Sequence, residues 1–167
     1  INNELYRTIV ARTPEGDQRL QMTGGDLLSR VYRLQAQRAA LSPDQQARLD
    51  TVQKAVETTI YSLRTRFHER LLREVKARLD SLNWYLGDFA QDRLRARTEF
   101  PFEIRNRERI EQLVKELGAD LTPELKQNIS KIDQRIRMMT AANGFIWDEK
   151  LKAAYPSSPY WYLYVTP

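Results

Sequence analysis

The sequence predicts a mainly α-helical fold: a bundle of two αα-hairpins around one very long helix, with a small β element from an N-terminal hairpin and a C-terminal strand. Three observations predict it. Between residues 43 and 97 apolar residues recur about every 3.6 positions, the α-helical period. Two Leu-(Ser/Thr)-Pro-(Asp/Glu) sequences mark helix starts. Strand-forming residues gather near the two termini.

The composition suits one globular domain spanning residues 1–167, because 41% of the residues are hydrophobic and 29% are charged. The sequence has no cysteine, which excludes disulfides and thiolate metal sites and leads us to expect a cytoplasmic protein. No apolar run approaches the ~20 residues of a membrane span, so we expect no membrane contact. The chain begins at Ile1, so the earlier loss of a signal peptide stays an open alternative.

Residues 5–23 predict a β-hairpin. The segment from Leu5 to Val10 is rich in strand-preferring residues, and 18–23 can run back beside it. Pro14 and Gly16 suit the turn between them. A helical or irregular N-terminal arm is the alternative.

The first helix is expected over residues 26–41, with Asp26 as its cap after Gly24-Gly25. Leu27, Val31 and Leu34 mark its apolar face. Its very short connection to the next helix predicts an antiparallel αα-hairpin.

The very long helix is expected over residues 43–97, with two helices nearly end to end as the alternative. Ser42 is expected as its cap, with Pro43 at its first position and Gln45 completing a capping box. Some 55 helical residues span roughly 80 Å, whereas a chain of this size has a radius of gyration of about 15 Å. Such a rod either bends, at Gly87-Asp88, or is covered by a second copy. We favour the second copy, so the sequence predicts a homo-oligomer, specifically a dimer.

Two shorter helices are expected over residues 104–117 and 122–142. Pro101 is expected to stop the long helix before the first of them, and Gly118 to end that helix. Thr122 is expected to cap the second, which Asn143-Gly144 ends.

The C-terminal segment, residues 145–167, is rich in aromatic residues. A short helix from Asp148 to Ala154 and a strand from Tyr160 to Val165 are expected there. Pairing of this strand with the N-terminal hairpin would satisfy its backbone groups. The alternative is that the segment crosses to another subunit.

Aromatic residues supply the candidate interface with a protein partner. Trp84 lies near 300° on a helical wheel that places the apolar arc near 100°, so a second surface is expected to cover it. That cover comes from another chain or from the C-terminal segment of the same chain. The candidate interface residues are Trp84, Tyr85, Phe89, Tyr160, Trp161 and Tyr162.

A basic row is the candidate nucleic-acid contact. The formal net charge is +5, and Arg66, Arg70, Arg73 and Lys76 lie on the polar side of the same wheel, where they could follow phosphates. The alternative is a solvated face with ion pairs along the helix, because many helical proteins carry a similar excess.

No constellation predicts catalysis, a cofactor or a metal site. His68 is the single histidine, and its position beside the apolar arc predicts a packed side chain. Thr65 stands where a Glu-x-x-His metal motif needs glutamate. Carboxylate-only Mg²⁺ or Ca²⁺ binding stays open without a spacing that favours it. The sequence therefore predicts a non-catalytic assembly or adaptor protein, with nucleic-acid binding as the alternative.

Overall fold

A computed structural model describes residues 5–6, 8–13, 16–89 and 92–167, with the backbone alone for 8–13 and 16–20. It confirms the mainly α fold, with α-helices predominating over short antiparallel strands. The chain divides into two units, Ile1–Glu74 and Val75–Pro167. Helix α3 (Arg64–Asp88) contributes residues to both.

The N-terminal hairpin of the first unit is confirmed. Strand β1 (Thr8–Thr13) pairs antiparallel with β2 (Gly16–Gln21), in a register that runs from Thr8 opposite Gln21 to Thr13 opposite Gly16. The predicted turn residue Pro14 and its neighbour Glu15 lie outside the described residues.

Helix α1 (Gly24–Ala36) begins two residues before the predicted start at residue 26. Thr23, not Asp26, is the cap: its hydroxyl accepts the Asp26 N–H at 3.2 Å, and the Asp26 side chain completes the capping box. The helix also ends before residue 41, and a 3₁₀ turn (Arg38–Ala40) follows. Asp26 instead occupies the third helical position, where its side chain accepts the Thr23 backbone N–H.

The predicted αα-hairpin of the first unit is confirmed. Helix α2 (Pro43–Ser62) begins with the expected capping box, in which Gln45 Oε1 accepts the Ser42 N–H at 2.9 Å. Gln35 of α1 contacts Gln53 of α2, and Arg38 of the 3₁₀ turn after α1 contacts Asp50 of α2. Arg38 follows Gln35 in the sequence, whereas its partner Asp50 precedes Gln53. This is the order expected of two antiparallel segments.

The single helix expected over residues 43–97 is wrong. The structure divides that range into α2, α3 and the start of α4 (Arg93–Glu103). The first break is at Leu63, after a run of residues that disfavours helix. Thr58, Thr59 and Ile60 are β-branched, and the hydroxyls of Thr59 and Ser62 donate to carbonyl oxygens four residues back, an interaction that bends helices.

The second break follows Gly87 and Asp88, where the sequence placed its alternative bend. Helix α3 ends at Asp88, and Asp92 caps α4 by accepting the Arg95 N–H at 3.0 Å. A glycine near a helix end and an aspartate at the next cap are both ordinary boundary signals. The apolar period continues across both breaks, so it did not predict the ends of α2 and α3.

The carboxylate of Glu74 anchors the start of α1 within the first unit. Its oxygens accept the Gly25 N–H at 3.1 and 3.2 Å, the Thr23 hydroxyl at 2.6 Å and the Tyr6 hydroxyl at 2.6 Å. A negative charge at a helix N-terminus is favourable because the N–H groups there lack partners within the helix. A Cβ on Gly24 would lie 2.4 Å from Leu71 Cδ2, so glycine permits this close approach.

The second unit begins with a helix that contains proline, contrary to the expected stop. Pro101 lies inside α4, whose C-cap is Ile104. Phe100 and Ile104 are 2% and 1% exposed, and burial of their side chains offsets the ~3 kcal/mol that an interior proline costs a helix. The indole N–H of Trp147 donates to the Pro101 carbonyl oxygen at 2.9 Å.

The next two helices largely match the prediction. Helix α5 (Arg105–Leu117) ends at Gly118, whose φ of +51° suits glycine. Helix α6 (Pro123–Met139) starts from Thr122, whose hydroxyl accepts the Leu125 N–H at 3.3 Å. It ends before residue 142, because the chain turns extended at Thr140.

The predicted C-terminal strand and its partner are wrong. Residues Trp161–Leu163 form a 3₁₀ turn, and only β4 (Val165–Thr166) is a strand. It pairs antiparallel with β3 (Ala141–Ala142) and not with the N-terminal hairpin. The expected short helix is a 3₁₀ helix, Glu149–Ala154, with Asp148 as its cap. Strand propensity misled here because aromatic residues are favoured wherever large side chains are buried.

Candidate functional site

The three predicted interface aromatics at the end of α3 differ in how much of each is exposed. Tyr85 is 5% exposed and Phe89 is 8% exposed, so both pack inside the second unit. Trp84 is 68% exposed. The C-terminal segment of the same chain therefore does not cover Trp84, and cover by another chain stays a prediction. Of these three residues, Trp84 is the one whose side chain a partner can reach.

The C-terminal aromatics form the core of the second unit. Tyr160 and Tyr162 are 1% and 0% exposed, and the hydroxyl of Tyr160 accepts the Gln112 amide at 3.1 Å and the Lys115 ammonium at 2.8 Å. Trp161 is partly exposed and lies 3.5 Å from the guanidinium carbon of Arg137, measured to its ring centroid. These contacts within one chain account for the aromatic richness of this segment.

A buried ion pair supports that aromatic core. The guanidinium of Arg107 donates to both carboxylate oxygens of Asp133, at 2.7 and 3.0 Å, and to Glu111 at 3.1 Å. Burial opposes the charge, but the hydrogen bonds and charge of Asp133 outweigh it and raise the pKa of Arg107. The same group lies 4.9 Å from the Tyr162 ring centroid. Sequence reasoning missed this cluster, since Arg107 and Asp133 are far apart in the chain.

The basic row is exposed on α3. Arg66, Arg70 and Arg73 lie in the first unit, and Lys76 lies in the second. Arg70 contacts the Tyr6 ring, with 5.7 Å from its guanidinium carbon to the ring centroid. Within the described part of the chain, none of the four is paired with a carboxylate. Nucleic-acid contact by these residues stays a prediction.

Helix α2 carries a surface that sequence reasoning missed. Over its 20 residues only Leu49 and Val56 are buried, while Val52 is 50% exposed and Tyr61 is 83% exposed. One side of the helix has no charged residue for nearly three turns. We call it the α2 face, and its residues are Thr51, Val52, Ala55, Thr58, Thr59 and Ser62.

The polar groups of the α2 face are already satisfied in part by their own helix. The hydroxyl of Thr51 donates to the Ala47 carbonyl at 2.9 Å, and that of Thr59 donates to the Ala55 carbonyl at 2.7 Å. Ser62 donates likewise to Thr58, at 2.8 Å. A hydroxyl with such a partner loses little when a neighbour displaces water from it. In the sequence, this surface corresponds to a run without charged residues between 58 and 63.

The single histidine of the sequence, His68, is packed inside the structure. His68 is 5% exposed, as its place beside the apolar arc predicted. Among the described residues no group of three or more His, Asp or Glu side chains is arranged to hold a metal ion. A search of the same residues finds no helix with the length and apolarity of a membrane span.

Comparisons with protein-family models, curated proteins and solved structures gave no significant match. Function is therefore argued from the residues and their surfaces.

Proposed function

We propose that this protein is a non-catalytic assembly or adaptor protein that self-associates through the α2 face, most simply as a homodimer. The observation that carries the proposal is a 20-residue helix with two buried residues. Most helices in proteins owe their stability to tertiary packing of one face. A second copy of α2 would supply the packing that one chain gives only in part.

The shape and chemistry of the α2 face favour a second helix as its occupant. Twenty helical residues extend over about 30 Å, which is long enough for a helix–helix contact of several turns. Small side chains such as Ala55 and Thr58 let two backbones approach to the 8–10 Å of ordinary helix packing. Because the same face is present on every copy, a two-fold arrangement can satisfy both partners at once.

Light scattering coupled to size-exclusion chromatography tests the proposal. The wild-type chain is expected to elute with twice its formula mass at micromolar concentration. Ala55→Glu places a charge at the centre of the α2 face and should give the monomer. Ala40→Glu is the matched control, since it makes the same change at an exposed residue outside α2 and should stay dimeric. A monomeric wild-type protein, or a dimer insensitive to Ala55→Glu, contradicts the proposal.

A nucleic-acid-binding face is the second candidate, and it is favoured by the exposure of Arg66, Arg70 and Arg73 without ion pairs to described carboxylates. These guanidiniums lie on adjacent turns of one helix face, a spacing that can follow a phosphate backbone. A contact of this kind depends on counterion release, so its affinity falls steeply with salt.

Fluorescence anisotropy with a labelled DNA duplex at two salt concentrations tests this second candidate. Replacing the three arginines by glutamine should weaken binding and flatten the salt dependence by about one unit of log–log slope for each phosphate that is no longer neutralised. The control replaces the exposed Arg48, Arg93 and Arg97 instead. Equal losses in the two triple variants indicate general charge attraction and remove the assignment.

A further inference from the structure

A small cavity lies between the end of α3 and the first turns of α4 in the second unit. Its volume is about 110 Å³, and Trp84 stands at its edge. This exceeds the ~30 Å³ that one water molecule occupies in the liquid. It is well below the ~300–1,000 Å³ of pockets for drug-sized ligands. The cavity therefore has room for a compact head group and none for a nucleotide.

Aromatic rings form one wall of this cavity. Tyr85 and Phe89 contact it, and their rings meet edge to face with 6.4 Å between centroids. The hydroxyl of Tyr85 donates to the Ala96 carbonyl at 2.5 Å, which fixes that ring. The indole of Trp84 lines the cavity while 68% of the residue stays exposed. Aromatic faces carry partial negative charge and attract cations, tryptophan most strongly.

The remaining wall is negatively charged. Asp88, Asp92 and Glu99 line the cavity together with one cation, Arg95, so three carboxylates face one guanidinium and the lining has a formal charge of −2. Arg95 is committed to Glu99, with 2.8 Å between Nε and Oε1. Asp92 accepts the Arg95 backbone N–H as the cap of α4.

Tyr85 presents a neutral phenol to this cavity. Burial, followed by the charges of Glu103 and Glu99, raises the pKa of Tyr85. The lining carboxylates do not converge as metal ligands do, since the described residues include no group arranged to hold a metal ion.

We propose that this cavity binds the head group of a monovalent organic cation of the alkylammonium class. Such a cation is weakly hydrated, so it gives up water readily to contact Trp84, and its charge is matched by the carboxylates of Asp88 and Asp92, which line the cavity beside the Arg95–Glu99 pair. A small inorganic cation keeps its water and gains little from an aromatic wall. The assignment is independent of the α2 face and of self-association.

The indole N–H resonances of the three tryptophans, recorded by ¹⁵N–¹H correlation spectroscopy, test the proposal. Trp84→Phe identifies the Trp84 signal, and the exposed position lets this variant fold. Tetramethylammonium chloride should shift that signal saturably and leave Trp161 unmoved. Sodium chloride at the same ionic strength and tert-butanol, a neutral molecule of the same shape, should have no such effect.

Two charge-neutralising variants identify the carboxylates that bind. Asp88→Asn and Asp92→Asn should each weaken tetramethylammonium binding about three- to tenfold, and asparagine at residue 92 can still cap α4. Glu124→Gln, at an exposed residue outside the cavity lining, is the matched control and should bind as the wild type. An unmoved Trp84 signal, an equal shift with tert-butanol or sodium chloride, or binding unchanged in both variants overturns the proposal.

The same titration separates two sources of the cation. A blocked trimethyllysine extends the head group by an aliphatic stem and a backbone. Affinity at least tenfold above that of tetramethylammonium assigns the cavity to a lysine side chain of a partner. Equal affinities assign it to a free alkylated amine.

Discussion

Helices α2 and α5 differ sharply in how much of each is buried. Helix α5 has 13 residues, six of them buried, and α2 has 20 residues with two buried. The longer helix has the better local signals, because a capping box and an N1 proline start it, whereas Ile104 caps α5 without a side-chain hydrogen bond. Local signals set where a helix begins, and tertiary packing decides how firmly it is held.

The contrast extends to ion pairs. Arg107 of α5 is 7% exposed at its side chain and is held by Asp133 and Glu111. The pair that joins the 3₁₀ turn before α2 to α2, Arg38 with Asp50, is 38% and 56% exposed. Solvent screens this second pair, so it contributes little to stability.

The largest effect is expected for Arg107→Ala. Removing this guanidinium leaves the carboxylates of Asp133 and Glu111 without their buried partner, which should lower the free energy of unfolding by about 3–5 kcal/mol. Urea unfolding followed by circular dichroism measures both variants, since each of the two units contains α-helices. Arg38→Ala is the control and should leave the midpoint unchanged. Similar losses in the two variants would remove the contrast.

Truncated leucines compare the packing of the two helices directly. Leu113 of α5 is 0% exposed and Leu49 of α2 is 5% exposed. Leu113→Ala should cost about 3 kcal/mol and Leu49→Ala about 2 kcal/mol, because a site with fewer neighbours collapses more easily around the lost side chain. Urea unfolding followed by circular dichroism measures both. A larger loss for Leu49 would show α2 to be the better packed helix.

Two glycines should respond to alanine with opposite signs. Gly24→Ala is expected to cost about 1–3 kcal/mol, because the new Cβ meets Leu71 Cδ2 at 2.4 Å and the Tyr6 hydroxyl at 2.8 Å. Gly87→Ala should add about 0.5–1 kcal/mol, since no atom lies within 4 Å and alanine is the better helix former. Thermal unfolding gives both shifts. A destabilised Gly87→Ala would show that the glycine is needed to end α3.

The smallest effect is a pH-dependent gain from Glu103→Gln. Burial, then the charge of Glu99, raises the pKa of Glu103 above 4.5. The ionised carboxylate is therefore unfavourable in the folded state, and its penalty is complete above the raised pKa and absent below pH 4.5. The variant should melt slightly higher than the wild type at pH 7 and equally at pH 4. A gain that persists at pH 4 would point to a cause other than this charge.

The sequence predicted helix starts well and helix lengths badly. Ser42 and Thr122 cap their helices as expected, because a cap is a contact between residues three apart. The boundary at Leu63 was concealed by a continuous apolar period, although β-branched residues before it already disfavoured helix. Pro101 shows the converse. It disfavours helix locally, but it lies inside α4 because the burial of Phe100 and Ile104 stabilises the helix there.

Some features of the candidate surfaces could be predicted from the sequence, and others depend on residues that are distant in the chain. Exposure of Trp84 and of Arg66, Arg70 and Arg73 follows from the helical wheel, since side-chain direction on a helix is a local property. Burial of Tyr160 and Tyr162 does not, because it depends on Gln112 and Arg107, some fifty residues earlier in the chain. The cavity beside Trp84 likewise needs two helices to be placed before it exists.

By itself the sequence determined the fold class, the N-terminal hairpin, the caps at Ser42 and Thr122 and the packed state of His68. Each depends on residues close together in the chain, where backbone geometry leaves few choices. Only the tertiary structure decided where the helix between residues 43 and 97 breaks, which strand β4 joins, and how much of α2 stays exposed. Those outcomes depend on the balance of burial between segments distant in sequence, a balance that no local pattern records.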